Sequence, residues 1–98
     1  MIFSGITVDN VILKLRLNKA ELTQQELDDL AAILDEVRRF VISYTGLTTG
    51  ECDQFEDLCA AVFVLCQDLY DNRSFYVDKS HINQVIRHIL DMHSVNYI

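Results

Sequence analysis

Apolar residues recur at three- and four-residue steps along most of the chain, the spacing of one face of an α-helix. The densest stretch, Cys59 to Cys66, is eight consecutive apolar residues, bracketed by Glu51, Asp53, Glu56 and Asp57 before it and by Asp68 and Asp71 after it. Such a run is far short of the roughly 18 residues that a membrane span requires. Its flanks decide between a buried strand and a buried helix. Phe55, Leu58, Cys59, Val62, Leu65, Cys66, Leu69 and Tyr70 keep the helical step, and no Gly or Pro interrupts them. The pattern predicts a helix over 51–71. Ala61, Phe63 and Val64 make its middle apolar nearly all round, which is the signature of a covered, central helix.

The other elements arrange themselves about this hub. Thr7 can cap a helix over 8–17, with Asp9 favourable in its first turn and Val11, Ile12 and Leu15 on its inner side. Leu13 and Leu17 blur that stripe, and an alternating strand over 11–17 competes with the preferred helix. Thr23 and Glu26 form a capping box, opening a helix over 24–44. Its Leu27, Leu30, Leu34, Val37, Val41 and Tyr44 repeat like a coiled-coil seam, and Gly46 can end it in the left-handed conformation. Two apolar-faced helices so closely joined should pair as an antiparallel hairpin. Thr48 and Glu51 offer a second capping box before the hub. Asp78 or Ser80 can cap a last helix over 79–93, with Ile82, Val85, Ile86, Ile89 and Leu90 facing inward. Residues 94–98 alternate polar and apolar side chains, as a segment does that pairs with an edge or docks in a groove. The expected fold is all-α: one compact bundle of about four helices around a buried third, with an extended C-terminal tail.

Composition narrows the function classes. The chain has 98 residues, half of them hydrophobic, no Pro and three Gly, which suits one domain of helices joined by short turns. Fifteen acids against eight bases give a net charge of −7, the wrong balance for a duplex-binding domain. The acids concentrate in residues 20–37 and 51–71, which together hold twelve of them and no base. They form either solvated outer faces or a functional acidic surface. The opening residues lack the pattern of a signal peptide, which predicts an intracellular origin. Cys52, Cys59 and Cys66 are seven residues apart. On one helix that places them on one face, roughly 10 Å per step, too far for a disulfide or a shared metal ion.

No catalytic constellation is legible, so an enzyme is not expected, nor is a cofactor. His81, His88 and His93 form no i, i+4 pair. Asp68, Asp71 and Asp78 lack the alternation and central Gly of a calcium loop. There is no glycine-rich phosphate loop, and Glu56-Asp57-Leu58 lacks the hydroxyl of an acyl-carrier attachment site.

Three ordered stretches carry a resemblance: Tyr44-Thr45-Gly46-Leu47-Thr48, Val64 to Arg73, and Met92-His93-Ser94-Val95-Asn96. Over about residues 7–98 the chain resembles the small head–tail connector proteins of long-tailed phages and prophages, described as head-completion or DNA-packaging proteins. The resemblance implies an all-helical virion subunit, made in the bacterial cytoplasm, in a ring of about twelve copies beneath the portal protein. DNA would pass through that ring without sequence-specific binding, the next head-completion or tail component would attach below, and no membrane is involved.

It further implies that Ser94, Val95, Asn96, Tyr97 and Ile98 dock on the portal, by adding a strand to an exposed edge; the alternative is a tail folded onto its own subunit. Asn72 and Arg73 would either finish the hub helix or reach a neighbouring subunit. Asp28, Asp29, Asp35 and Glu36 would line an acidic channel surface along which DNA slides. The rival expectation is a small acidic helical regulator or inhibitor that occupies a basic partner protein.

Overall fold

A computed structural model describes residues 1–95, and three of its helices start on one device. Thr7, Thr23 and Thr48 each accept a hydrogen bond through Oγ1 from the backbone N–H three residues on. Asn10, Glu26 and Glu51 each accept one back from the threonine's own N–H. These reciprocal bonds satisfy amides that a helix start otherwise leaves without partners. They open α1 (Val8–Lys14), α2 (Gln24–Thr45) and a short α3 (Thr49–Cys52); α4 (Glu56–Asp71) and α5 (Gln84–His93) follow. Single 3-10 turns lie at Phe3–Gly5, Lys19–Glu21 and Lys79–His81. No strand occurs among the described residues, so the fold is all-α as expected, with five helices where about four were anticipated. None of these helices is long and apolar enough to cross a membrane.

The caps make stability depend on pH. Bonds from Thr23, its backbone N–H first and its hydroxyl second, hold the Glu26 carboxyl below the ordinary glutamate value, and Thr48 does the same for Glu51. A depressed folded pKa contributes stability that is fully present above the unfolded pKa and is lost as pH falls through the folded one. Urea unfolding is therefore expected to show stability declining from pH 4.5, the ordinary value, downward. Losing a threonine N-cap costs about 1 kcal/mol. Thr23→Ala with Thr48→Ala should lower stability at neutral pH by the sum of the two caps yet keep most of the acid slope, since the backbone N–H bonds to both carboxylates survive. Glu26→Gln with Glu51→Gln should flatten that slope. An unchanged slope in the glutamine variant would show that these carboxylates do not set it.

Each helix boundary that departs from expectation has a backbone cause. The first helix ends at Lys14 instead of reaching 17. Arg16 is left-handed (φ 58°), its N–H donates to Leu13 O at 3.1 Å, and Leu17 N–H donates to Ile12 O at 3.0 Å. That pair of bonds is a Schellman ending with Arg at the position Gly usually holds. α4 ends identically, with Arg73 at φ 51° donating to Tyr70 O at 3.2 Å and Ser74 N–H to Leu69 O at 2.9 Å. α2 ends on Gly46 at φ 73°.

The hub begins at Glu56, five residues later than expected. The Thr48–Glu51 box opens only α3, after which Ser4 takes both carboxylate oxygens of Asp53 (N–H to Oδ1 2.7 Å, Oγ to Oδ2 2.8 Å) and Phe55 is extended. Cys52 therefore does not share a helix with Cys59 and Cys66. All three thiols are free and buried. Burial raises the pKa of each, that of Cys66 to about 12. The last helix begins at Gln84, with Asn83 Oδ1 accepting from Val85 N–H at 2.7 Å; Asp78 caps only the preceding 3-10 turn. Val85, expected inside, is in consequence 66% exposed, while Ile82, Ile86 and Leu90 are buried.

α2, α5, α1 and the N-terminal turn all pack on α4. Its Leu58, Ala61, Val62, Leu65, Cys66 and Leu69 are buried against Leu30, Ile33, Leu34, Val37 and Val41 of α2 in one continuous core. Burying each such aliphatic side chain contributes about 1.5–3 kcal/mol. α4 runs antiparallel to α2, since Tyr70 Oη near its end donates to Glu26 Oε2 near the start of α2. α5 returns to the start of α4, where His93 meets Asp57. The molecule is a rod of 45 × 27 × 18 Å with two distinct poles.

Candidate functional site

The first pole is built on the end of α2. A last helical turn leaves carbonyls without partners. Gly46 N–H donates to Ile42 O at 2.9 Å, and the donors to Tyr44 O and Thr45 O come from the far end of the chain. Ser94 Oγ donates to Tyr44 O at 3.3 Å and Val95 N–H to Thr45 O at 2.7 Å. The expected docking segment therefore starts as part of its own subunit: Ser94 and Val95 finish α2. The remaining residues of that expectation, Asn96, Tyr97 and Ile98, lie outside the described residues.

Four further contacts fix this base. Tyr44 Oη donates to Asp91 Oδ1 at 2.6 Å, a bond that raises the pKa of the phenol. His93 Nε2 lies 2.7 and 2.9 Å from the two Asp57 oxygens, and its ring stacks on Phe55 with centroids 4.2 Å apart. Asp57 stands in the first turn of α4 and His93 in the last turn of α5, where the helix dipoles favour a carboxylate and a cation respectively. Lys79 Nζ rests 5.1 Å over the Tyr44 ring. Residues 44–48 and 92–95, which belong to two of the three stretches singled out in the sequence, thus come together in space.

The second pole holds Asn72 and Arg73. Asn72 Nδ2 donates to Asp68 O at 2.8 Å, closing the last turn of α4. The Arg73 backbone makes the Schellman bond, while its guanidinium lies 4.4 Å over the Tyr70 ring with Glu26 and Asp29 nearby. Of the two roles expected for this pair, the helix-end role is the one formed within the subunit. Arg73→Ala is accordingly expected to lower Tm by no more than a few degrees, equally in the free and assembled protein. Arg73→Gly, which also relieves the left-handed backbone, should come closer to wild type. A larger loss in the assembled form, read by scanning fluorimetry, would assign Arg73 to an inter-subunit contact.

The four acids of the proposed channel surface separate into two rows. Asp28 and Asp35 are exposed; Asp29 and Glu36 are half-buried, turned toward the 73–77 segment. Glu36 Oε2 accepts from Val77 N–H at 3.4 Å, and Asp29 lies near Arg73. Gln24 and Gln25 donate to Asp28 and Asp29 at 2.9 and 2.8 Å. The outward acidic row is therefore Asp28 and Asp35.

A Ser–His–Asp grouping that the sequence reading did not single out occurs at Asp78, Ser80 and His81. It is a turn network. Asp78 Oδ1 accepts from Ser80 Oγ at 2.7 Å, and both Asp78 Oδ2 (2.6 Å) and Ser80 Oγ (3.1 Å) meet the same His81 nitrogen, Nδ1. A catalytic relay needs the carboxylate and the nucleophile on opposite ring nitrogens. No group of three His, Cys, Asp or Glu among the described residues is placed to hold a metal ion. The chain matches no protein-family model, no curated protein and no solved structure, and its site is therefore defined by its own geometry.

Proposed function

We propose that this chain is the subunit of a phage head–tail connector, forming a ring of about twelve copies beneath the portal and prolonging the DNA channel. The observation that carries this reading is the locked first pole. Two separated stretches bearing the resemblance interlock there through Ser94 and Val95, so the final residues leave from a fixed point on a rigid helical rod. A protein that works by shape needs such a fixed departure point for a docking segment. The test is to mix the purified chain with a portal ring from the same phage or prophage genome, the partner that this reading requires. Added density in a ring beneath the portal is expected by electron microscopy, and an undecorated portal would end the proposal.

The outward row of Asp28 and Asp35 suits a channel wall, because like charge repels the phosphates and leaves DNA free to slide. Asp28→Asn with Asp35→Asn is expected to alter DNA retention in filled heads while assembly proceeds normally. A wild-type packaging and ejection profile would remove this row from the channel. The same row and the net charge of −7 favour the second reading, an acidic regulator of a basic protein. That reading requires a salt-sensitive complex with a non-virion partner and no added ring on the portal.

A further inference from the structure

Most of the eight bases have work inside the subunit. Lys19 pairs with Asp9 at 2.8 Å, Arg38 donates to the Ser4 and Ile6 carbonyls, and Arg87 donates to Lys79 O. Lys14, Arg73 and Lys79 lie over aromatic rings. Arg16 and Arg39 have no partner of these kinds among the described residues. Arg39 sits one turn from Asp35 and Glu36 on α2, in an acidic neighbourhood. Arg16 stands at the tip of α1 with φ 58°, a conformation in which any residue with a Cβ is disfavoured. Among the described residues the other non-glycine residue of this kind is Arg73; both close a helix through the same backbone bonds, but only the Arg73 side chain also lies over a ring, that of Tyr70. The Schellman bonds account for the Arg16 backbone; what is left without a partner inside the subunit is its exposed guanidinium.

Across α4 from α1, a half-enclosed cavity of about 220 Å³ opens between the last turns of α4 and residues 74–82. Leu65, Leu69, Val77 and Ile82 give it an apolar lining, and its polar edge carries Asp68 and Asp78 with no Lys or Arg. Asp78 is already engaged by Ser80 and by Nδ1 of His81, the imidazole at the rim. The Asp68 carboxylate has no hydrogen-bond or ion partner among the described residues. Asp68 is exposed at the cavity mouth, where partial desolvation and, after it, the charge of Asp71 raise its pKa, so a cation seated there would meet an accessible, unpaired carboxylate. Arg16 cannot be that cation within one subunit. α1 lies on the Phe63 side of α4, where Lys14 covers that ring, and Asp68 is five residues further on, about 140° around the helix.

We propose that Arg16 of one copy enters this cavity in the next copy, laying its stem on the apolar lining and its guanidinium against Asp68. Arginine stems cover apolar surface in this way while the charged head finds a carboxylate. A contact between two different patches repeats head to tail and closes into a ring when its rotation allows. This inference rests on the ring-forming reading above and specifies its lateral contact.

Sedimentation equilibrium of the full chain, at millimolar concentration and low salt, tests it. The wild type is expected to self-associate. Arg16→Glu and Asp68→Lys should each weaken association by about tenfold or more, combining them should restore it, and Arg39→Glu should leave it unchanged. Asp68→Asn serves if Asp68→Lys disturbs the fold by circular dichroism. A monomeric wild type, a single variant that associates normally, an equal effect of Arg39→Glu, or absence of rescue would each overturn the contact. Portal decoration measured on the same variants separates this contact from the connector reading. Normal rings from both single variants would refute the contact alone. A wild-type chain that ignores the portal while charge-swap rescue holds would refute the connector reading alone.

Discussion

Replacing Phe3 with Ala is expected to lower folding stability by about 3–5 kcal/mol, the usual loss when a fully buried Phe leaves a cavity. Phe3 is 0% exposed, although it lies in a three-residue 3-10 turn near the start of the chain. Several bonds stitch that turn down. Ser4 occupies both oxygens of Asp53, Arg38 donates to the Ser4 carbonyl at 3.3 Å and the Ile6 carbonyl at 2.9 Å, and Cys59 Sγ donates to Met1 O at 3.6 Å. Removing the ring therefore loosens a strap that spans α2, α4 and the bend at 53–55. A domain of this size is stable by only about 5–15 kcal/mol, so the loss is a large fraction of the total. Ile2→Ala is the control, because Ile2 is 51% exposed and should cost under about 1 kcal/mol. Equal urea midpoints for the two variants would show that the strap is not part of the core.

That strap also shows where the sequence stopped being legible. Periodicity reports which face of a segment is apolar, so the all-α class, the hub and the buried positions of α2 and α4 were readable from Leu30, Val37, Leu58, Val62 and Leu65. Capping boxes are local, so Thr23 and Thr48 were readable as helix starts. The bend after Cys52 depends on Ser4 binding Asp53 across 49 residues, and no window of sequence contains both partners. The ends of α1 and α4 depend on Arg16 and Arg73 adopting a conformation that ordinarily announces itself as Gly. Val85 left the core because Ile82 stays extended and Asn83 is non-helical, delaying α5 until Gln84. The candidate site was legible to the same degree. For Asn72 and Arg73 the sequence left a helix-end role and a subunit contact side by side, and the division of Asp28 and Asp35 from Asp29 and Glu36 needed the 73–77 segment in place. The closure of α2 by Ser94 and Val95 needed two chain segments about fifty residues apart.

The same closure dictates how the docking proposal must be tested. Deleting 94–98 removes the donors to Tyr44 O and Thr45 O. At about 1 kcal/mol for each lost bond, it should destabilise the subunit by about 2 kcal/mol before any partner is considered. Loss of portal binding in that variant would be ambiguous between a missing arm and a loosened pole. Deleting only 96–98 keeps both bonds, together with the His93–Asp57 pair and the Phe55 stack. Val95, 62% exposed, then becomes the terminus. If the tail is a docking arm whose affinity comes from backbone pairing, this shorter deletion should leave unfolding within about 0.5 kcal/mol of wild type and abolish co-sedimentation with the portal ring. Retained binding would move the docking surface off the tail and onto the rod itself. A loss of stability matching that of the longer deletion would mean that the last three residues act within their own subunit.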